Sequence, residues 1–325
     1  MKNLLISLTA TGFALFAFSS NAQQVGRADP FFADGGSYDP SIPRPETVIG
    51  HPLGHRIARN DLLVAYMRTI ADLSPRITVE EIALTHEGRP ILGLTITSPE
   101  NHARIDEIKA AHVALSNPES AQKVSADMPV ITWLNYGVHG AEVSSTDSSM
   151  AVAYHLAAAQ GPEIEETLEN SVIILIAVLN PDGNSRMSAW NHMNGGYVSI
   201  SDPEHRLHNT FWPGGRTNHY WFDLNRQWHI LQHPEPRGWV AKFHEWRPNI
   251  TVDYHEMGSA STYYFHPGAP ERTFPYIPER SMELLELVAD RPRSWLDSEQ
   301  RLYFHEEGFD NYYIGKGSTY PHMHA

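Results

Sequence analysis

The residues best equipped for chemistry are His139 and Glu142, in the segment His139-Gly-Ala-Glu142, and His255 far along the chain. Imidazole and carboxylate both ligate zinc, and two histidines with one glutamate leave a fourth position for water, the catalytic arrangement. The chain has no cysteine, so disulfides, thiolate zinc sites, iron–sulfur clusters and a cysteine nucleophile are excluded. Any metal must be held by His and carboxylates. Spacing alone is weak evidence. With 19 His and 23 Glu in 325 residues, chance supplies roughly one His-x-x-Glu pair. Position strengthens it. His139 follows the apolar run Val130–Tyr136, and Glu142 opens a helical pattern. Ligands in open α/β sheets gather at the carboxyl ends of strands. Residues three apart on a helical turn can face one point. His255 stands at the end of another apolar run, Ile250–Tyr254, with Gly258 following. Glu256 beside it should point to the opposite face if the strand continues.

The elements that must position these groups alternate. Leu62, Leu63, Tyr66, Met67 and Ile70 have helical spacing. Ile77–Leu84 and Ile91–Thr97, joined by Glu87-Gly-Arg-Pro90, read as a hairpin. Helices are expected over Asn101–Leu115, Glu142–Ala159, Pro234–Trp246 and Ser281–Leu296. Strands are expected at Val130–Tyr136, Ser171–Leu179, Ile250–Tyr254 and Thr262–Phe265. Asn180-Pro-Asp-Gly183 reads as a turn, and 184–222 as a long irregular loop. Central strands that are apolar throughout, alternating with helices, predict a three-layer α/β/α sandwich around a mixed, mostly parallel sheet.

Composition narrows the function classes. Hydrophobic residues at 41% and charged residues at 19% are globular proportions, which rules out wholesale disorder and coiled coil. A formal net charge of -14 without a basic block argues against a nucleic-acid partner. Lys2, the apolar stretch Leu4–Phe18 and the small residues around Ser20-Asn-Ala22 form a secretory signal pattern. The stretch is shorter than the roughly 20 residues needed to span a bilayer. The expected organisation is a signal peptide at 1–22, an extended lead-in at 23–50 and one catalytic domain at 51–325. The mature protein is expected to be exported, periplasmic or extracellular, with no membrane span.

Four segments occur in order: His139-Gly-Ala-Glu142, Asn180-Pro-Asp-Gly183, Asp223-Leu-Asn-Arg226, and His255 at a strand end. There is no His-Glu-x-x-His helix, Gly-x-Ser-x-Gly elbow or P-loop. As a set, the four segments resemble the zinc carboxypeptidases of the carboxypeptidase A type, over roughly residues 51–321. Carboxypeptidase A is itself the standard example of a His₂Glu zinc site, so the donor set and the resemblance are not independent. The resemblance implies a mixed eight-stranded sheet, one zinc ion, and hydrolysis at the C-termini of peptides or proteins. It implies His139, Glu142 and His255 as zinc ligands and Asp223 as the acid that orients the first imidazole. It implies Asn225 and Arg226 as the grip on the substrate carboxylate. Arg186 is the candidate for the oxyanion-stabilising arginine, with Arg206 and Arg216 as competitors. Tyr312 is the candidate capping tyrosine, with Tyr313 close behind.

The resemblance also implies a glutamate general base about sixteen residues beyond Ser318, near position 334. The sequence stops at Ala325. The expectation is therefore a chain that binds zinc but hydrolyses poorly, as the front of a longer protein. Two other readings stand beside this one. One is an N-acyl amino acid amidohydrolase of the related acylase branch. The other is a non-catalytic zinc-binding pseudo-peptidase that binds peptide C-termini.

Overall fold

The computed structural model describes residues 32, 36–116, 128–196, 198–258, 261–307 and 313–324. The proposed signal segment lies outside them. Five strands form the central sheet: β1 (Ile77–Leu84), β2 (Pro90–Ile96), β3 (Val130–Asn135), β4 (Ser171–Ile176) and β5 (Ile250–Asp253). Their spatial order is β1-β2-β4-β3-β5. Pairings β1/β2 and β2/β4 are antiparallel, while β4/β3 and β3/β5 are parallel. The sheet is thus mixed. It has five strands among the described residues, against the eight implied by the resemblance. Tyr263–Tyr264 and Tyr303–Phe304 form a separate parallel pair.

Alternation along the inner strands divides the core. Ile173 and Leu175 of β4 face one side, while Val172, Ile174 and Ile176 face the other, and all five are buried. The first side is covered by α1 (Asn60–Leu73), through Leu63, Tyr66, Met67 and Ile70, and by α2 (Val143–Ala158), through Met150 and Ala153. The second is covered by Trp239, Phe243 and Trp246, from the helix over Pro234–Trp246. Helices on both faces make three layers, and strands buried on both faces read as continuous apolar runs. From residue 36 the expected lead-in packs onto the domain. Ser37–Tyr38 pairs with Ala159–Gln160, Pro45–Ile49 is helical, and Ile42 and Ile49 are buried.

One expectation fails instructively. Asn180-Pro-Asp-Gly183 begins a helix, α3 (Pro181–Asn194), rather than a turn. The Asn180 side chain accepts the Gly183 N–H, and Pro181 occupies the first helical position. Asn as N-cap and Pro at the first position satisfy or remove amide groups that lack helical partners. The same residue types therefore start a helix as readily as they turn a chain. The remainder of the long loop, beyond Asn194, is irregular apart from turns. The helix over Pro234–Trp246 is α4, and Glu279–Ser298 is α5.

Candidate metal centre

Neighbouring parallel strands bring the predicted ligands together. In the β3/β5 register Asn135 lies opposite Asp253. One residue further on, the rings of Tyr136 and Tyr254 stack at 4.2 Å. The first strand then turns at Gly137, where φ is +63° and a Cβ would sit 2.6 Å from Thr146 Oγ1. Only glycine fits such a turn without strain. At Gly140 a Cβ would lie 2.1 Å from the Asn184 backbone nitrogen, so the loop is pressed against the start of α3. These two turns carry His139 to a position where its ring centroid is 5.0 Å from that of His255.

Glu142 sits between the two imidazoles. Its Oε1 is 2.6 Å from His139 Nδ1, and its Oε2 is 2.9 Å from His255 Nδ1. One ligand atom from each of the three residues lies within 4.8 Å of the others. The far nitrogen of each ring also meets a carboxylate. His139 Nε2 is 2.9 Å from Asp223 Oδ1, and His255 Nε2 is 2.9 Å from Asp253 Oδ2. Donor types and spacing fit a zinc ion: each Nδ1 faces the shared centre, and each Nε2 is held from behind.

The other predicted residues are placed unevenly. Asp223 caps the turn Leu224–Arg226 and accepts from the Asn225 N–H as well as from His139. Asn225 is buried and fully engaged. Its Oδ1 accepts the Gly317 N–H at 2.8 Å, and its Nδ2 lies 3.0 Å from His255 Nε2. Its amide thus touches His255 and holds the C-terminal segment. Arg226 Nη1 donates to the Asn225 carbonyl. The expectation for Arg186 does not match its placement. Its guanidinium donates to the backbone carbonyls of Gly214, Thr217 and Asn218, stitching the loop to α3. Arg206 stacks over the Trp190 ring at 5.5 Å. Arg216 is the arginine at the centre, donating to Asp223 Oδ2 at 3.0 Å and to Glu142 Oε1 at 3.4 Å. Tyr312 lies outside the described residues, and Tyr313 is exposed.

Two acidic residues went unassigned in the sequence. Asp253 was hidden within a strand pattern. Glu256 was expected on the opposite face. The strand ends at Asp253, however, and Glu256 turns back to the centre. Its N–H donates to Glu142 Oε2 at 3.0 Å, and its carboxylate accepts from the Ser144 N–H at the start of α2. A carboxylate there also complements the helix dipole.

Charge organises the cluster. Burial pushes the Glu142 carboxyl up, but the imidazoles of His139 and His255 outweigh it and hold it down to about 2. Burial likewise opposes the ionised form of Asp223, and His139, Arg216 and Arg226 reverse that and hold it well below the carboxylate range. Burial disfavours a charged His255, yet Asp253 and then Glu142 raise it to about 10. His139 is raised in the same way, by Asp223 and Glu142 against burial.

Structural comparison places the fold. Carboxypeptidase A from Helicoverpa armigera aligns over 86% of this chain and 68% of its own, at 16% identity and a TM-score of 0.55. A metallo-carboxypeptidase from Burkholderia cenocepacia aligns over 80% of this chain at 17% identity and a TM-score of 0.50. The present chain spans 56% of that enzyme. No curated protein matches the sequence. The family model for zinc carboxypeptidase matches residues 63–262, and the chain belongs to that family.

In metal-free protein the cluster carries a defined pH signature. The raised pKa of His255 contributes stability that is complete below its unfolded value of 6.5 and is lost as pH rises toward about 10. The depressed pKa of Glu142 contributes stability complete above 4.5 and lost as pH falls toward about 2. Replacing Asp253→Asn should move the alkaline loss to lower pH. Thermal unfolding in chelator across that alkaline range checks this, and an unchanged alkaline profile would contradict it.

Proposed function

We propose that this protein is a metallocarboxypeptidase that binds one zinc ion through His139, Glu142 and His255 and acts at the C-termini of peptides or proteins. The observation that supports it is the convergence of these three side chains at the carboxyl ends of adjacent parallel strands, in a member of the zinc carboxypeptidase family. When bound, the ion supplies a Lewis acid that polarises the scissile carbonyl and activates water.

The protein's own residues do the rest. Asp223 accepts from His139 Nε2 and fixes which nitrogen faces the centre. Asp253 does the same for His255. In this proposal Arg216 takes the oxyanion-stabilising role first assigned to Arg186, because it alone of the three loop arginines reaches Glu142. Arg226 offers a planar two-donor fork to the substrate carboxylate. Tyr312 is proposed to close over the bound residue. Among the described residues, the carboxylates around the centre each hold a protein hydrogen bond: Glu142, Asp223, Asp253 and Glu256. Binding is therefore a more direct test than turnover.

Zinc-loaded protein should bind a peptide with a free C-terminal carboxylate more tightly than the amidated peptide, by about tenfold or more, the worth of a charge-assisted contact. Calorimetry reads this, and Arg226→Ala should remove the preference. Equal affinity for both peptides would overturn the reading. We further propose that 1–22 is a cleaved export signal. Amino-terminal sequencing of protein from the periplasmic fraction should begin at Gln23. Protein retained in the cytoplasm with Met1 intact would contradict it.

A further inference from the structure

A second cluster of metal-ligating side chains lies outside the centre described above. His86, His233 and Glu235 each bring one ligand atom within 4.8 Å of the others. His86 stands at the tip of the β1/β2 hairpin, where the Thr85 N–H bonds the Arg89 carbonyl. His233 is the N-cap residue of α4, Pro234 takes the first helical position, and Glu235 follows. Two turns distant in sequence thus present three donors to one point.

The spacing resembles that of the first centre. His86 Nε2 is 3.0 Å from His233 Nδ1 and 3.9 Å from Glu235 Oε2. The two rings are 5.3 Å apart, compared with 5.0 Å for His139 and His255. What distinguishes the cluster is an unanswered carboxylate. Glu235 is 0% exposed, and neither of its oxygens makes a well-formed hydrogen bond, the backbone N–H groups of Glu235 and His86 only approaching the carboxylate. Behind it, Asp182 spends Oδ1 on Thr85 and Arg89 and leaves a buried Oδ2 unpartnered. A buried carboxylate without a donor is costly, and proteins answer the cost by pairing, neutralisation or a bound cation. In metal-free protein a proton on Glu235 and an N–H···N bond between the two imidazoles would answer the cluster, and a cation would replace both. A cation satisfies all three donors at once.

The surroundings favour ligation. The Phe222 ring lies 4.5 Å from that of His233, and the Tyr220 ring 4.7 Å from that of His86. His219 faces His86 from the same loop at 6.4 Å. Two imidazoles and one carboxylate suit zinc and its neighbours, whereas magnesium and calcium prefer all-oxygen sites.

We propose that His86, His233 and Glu235 form a second site for a divalent transition-metal ion of the zinc class, fastening the β1/β2 hairpin to the start of α4. The site is independent of the proposed catalytic centre and shares no ligand with it. Its role is structural: it ties two segments 147 residues apart.

The test uses the full chain and zinc alone. Equilibrium dialysis followed by elemental analysis should find two zinc ions per chain. His86→Ala should leave one, because two donors no longer make a three-ligand site. Its side chain sits on a hairpin tip, 26% exposed, so the substitution leaves no core cavity. Glu235→Gln, which preserves volume and burial, should likewise leave one. The His139→Ala/His255→Ala protein should also hold one, lost on adding His86→Ala. Cobalt substitution gives a second reading, through the part of the visible absorption that each single change removes. Stoichiometry unaltered by His86→Ala and Glu235→Gln overturns the proposal. One ion lost only with His139 and His255 overturns it while leaving the catalytic reading intact. One ion lost only with His86 supports this site and overturns the other.

Discussion

The parallel pairing of β3 with β5 is the constraint on which the rest depends. It aligns Asn135 with Asp253, and the stacked Tyr136 and Tyr254 rings extend the match one residue beyond the sheet. Everything at the centre is measured from that edge. A slip of one residue would turn each side chain of β5 to the other face. The burial of strands on both sides of the sheet fixes the register, so core packing and ligand geometry are one problem here. The apolar runs do more than fill the interior: they deliver His139 and His255 to the same end of the sheet.

The second organising fact is electrical balance. The carboxyl groups of Glu142, Asp223 and Asp253 surround two imidazoles and Arg216. With both imidazoles protonated this group is neutral. With both neutral and a dication between them it is neutral again. Under the proposed function, a dication bound there would take the place of two imidazole protons. That explains why so many acids tolerate close approach. Glu256 stands slightly apart, its charge answered by the start of α2.

Much of this was legible in the sequence, and the exceptions have physical causes. Buried strands announce themselves through apolar runs, so β1 was found with its ends and β2 to β5 with an end displaced by one to three residues. His139, Glu142 and His255 stood out because strand ends are where ligands collect. The start of α3 was misread because Asn, Pro, Asp and Gly serve both turns and helix caps. The sequence left the choice among arginines open because loop paths are invisible to periodicity: Arg186, nearest the Asn-Pro-Asp-Gly motif, faces backbone carbonyls, while Arg216 folds back onto the centre. Asp253 and Glu256 were hidden by uncertainty over where β5 ends. His86, His233 and Glu235 left no local pattern, since two come from a helix cap and one from a hairpin tip.

The central claim is that one ion is held between His139, Glu142 and His255. Anomalous diffraction at the zinc edge, from crystals of the zinc-loaded protein, tests it most directly. The account predicts a peak within about 2.0–2.2 Å of both Nδ1 atoms and of the Glu142 carboxylate. A structure at full zinc loading with no peak between these three residues would contradict it.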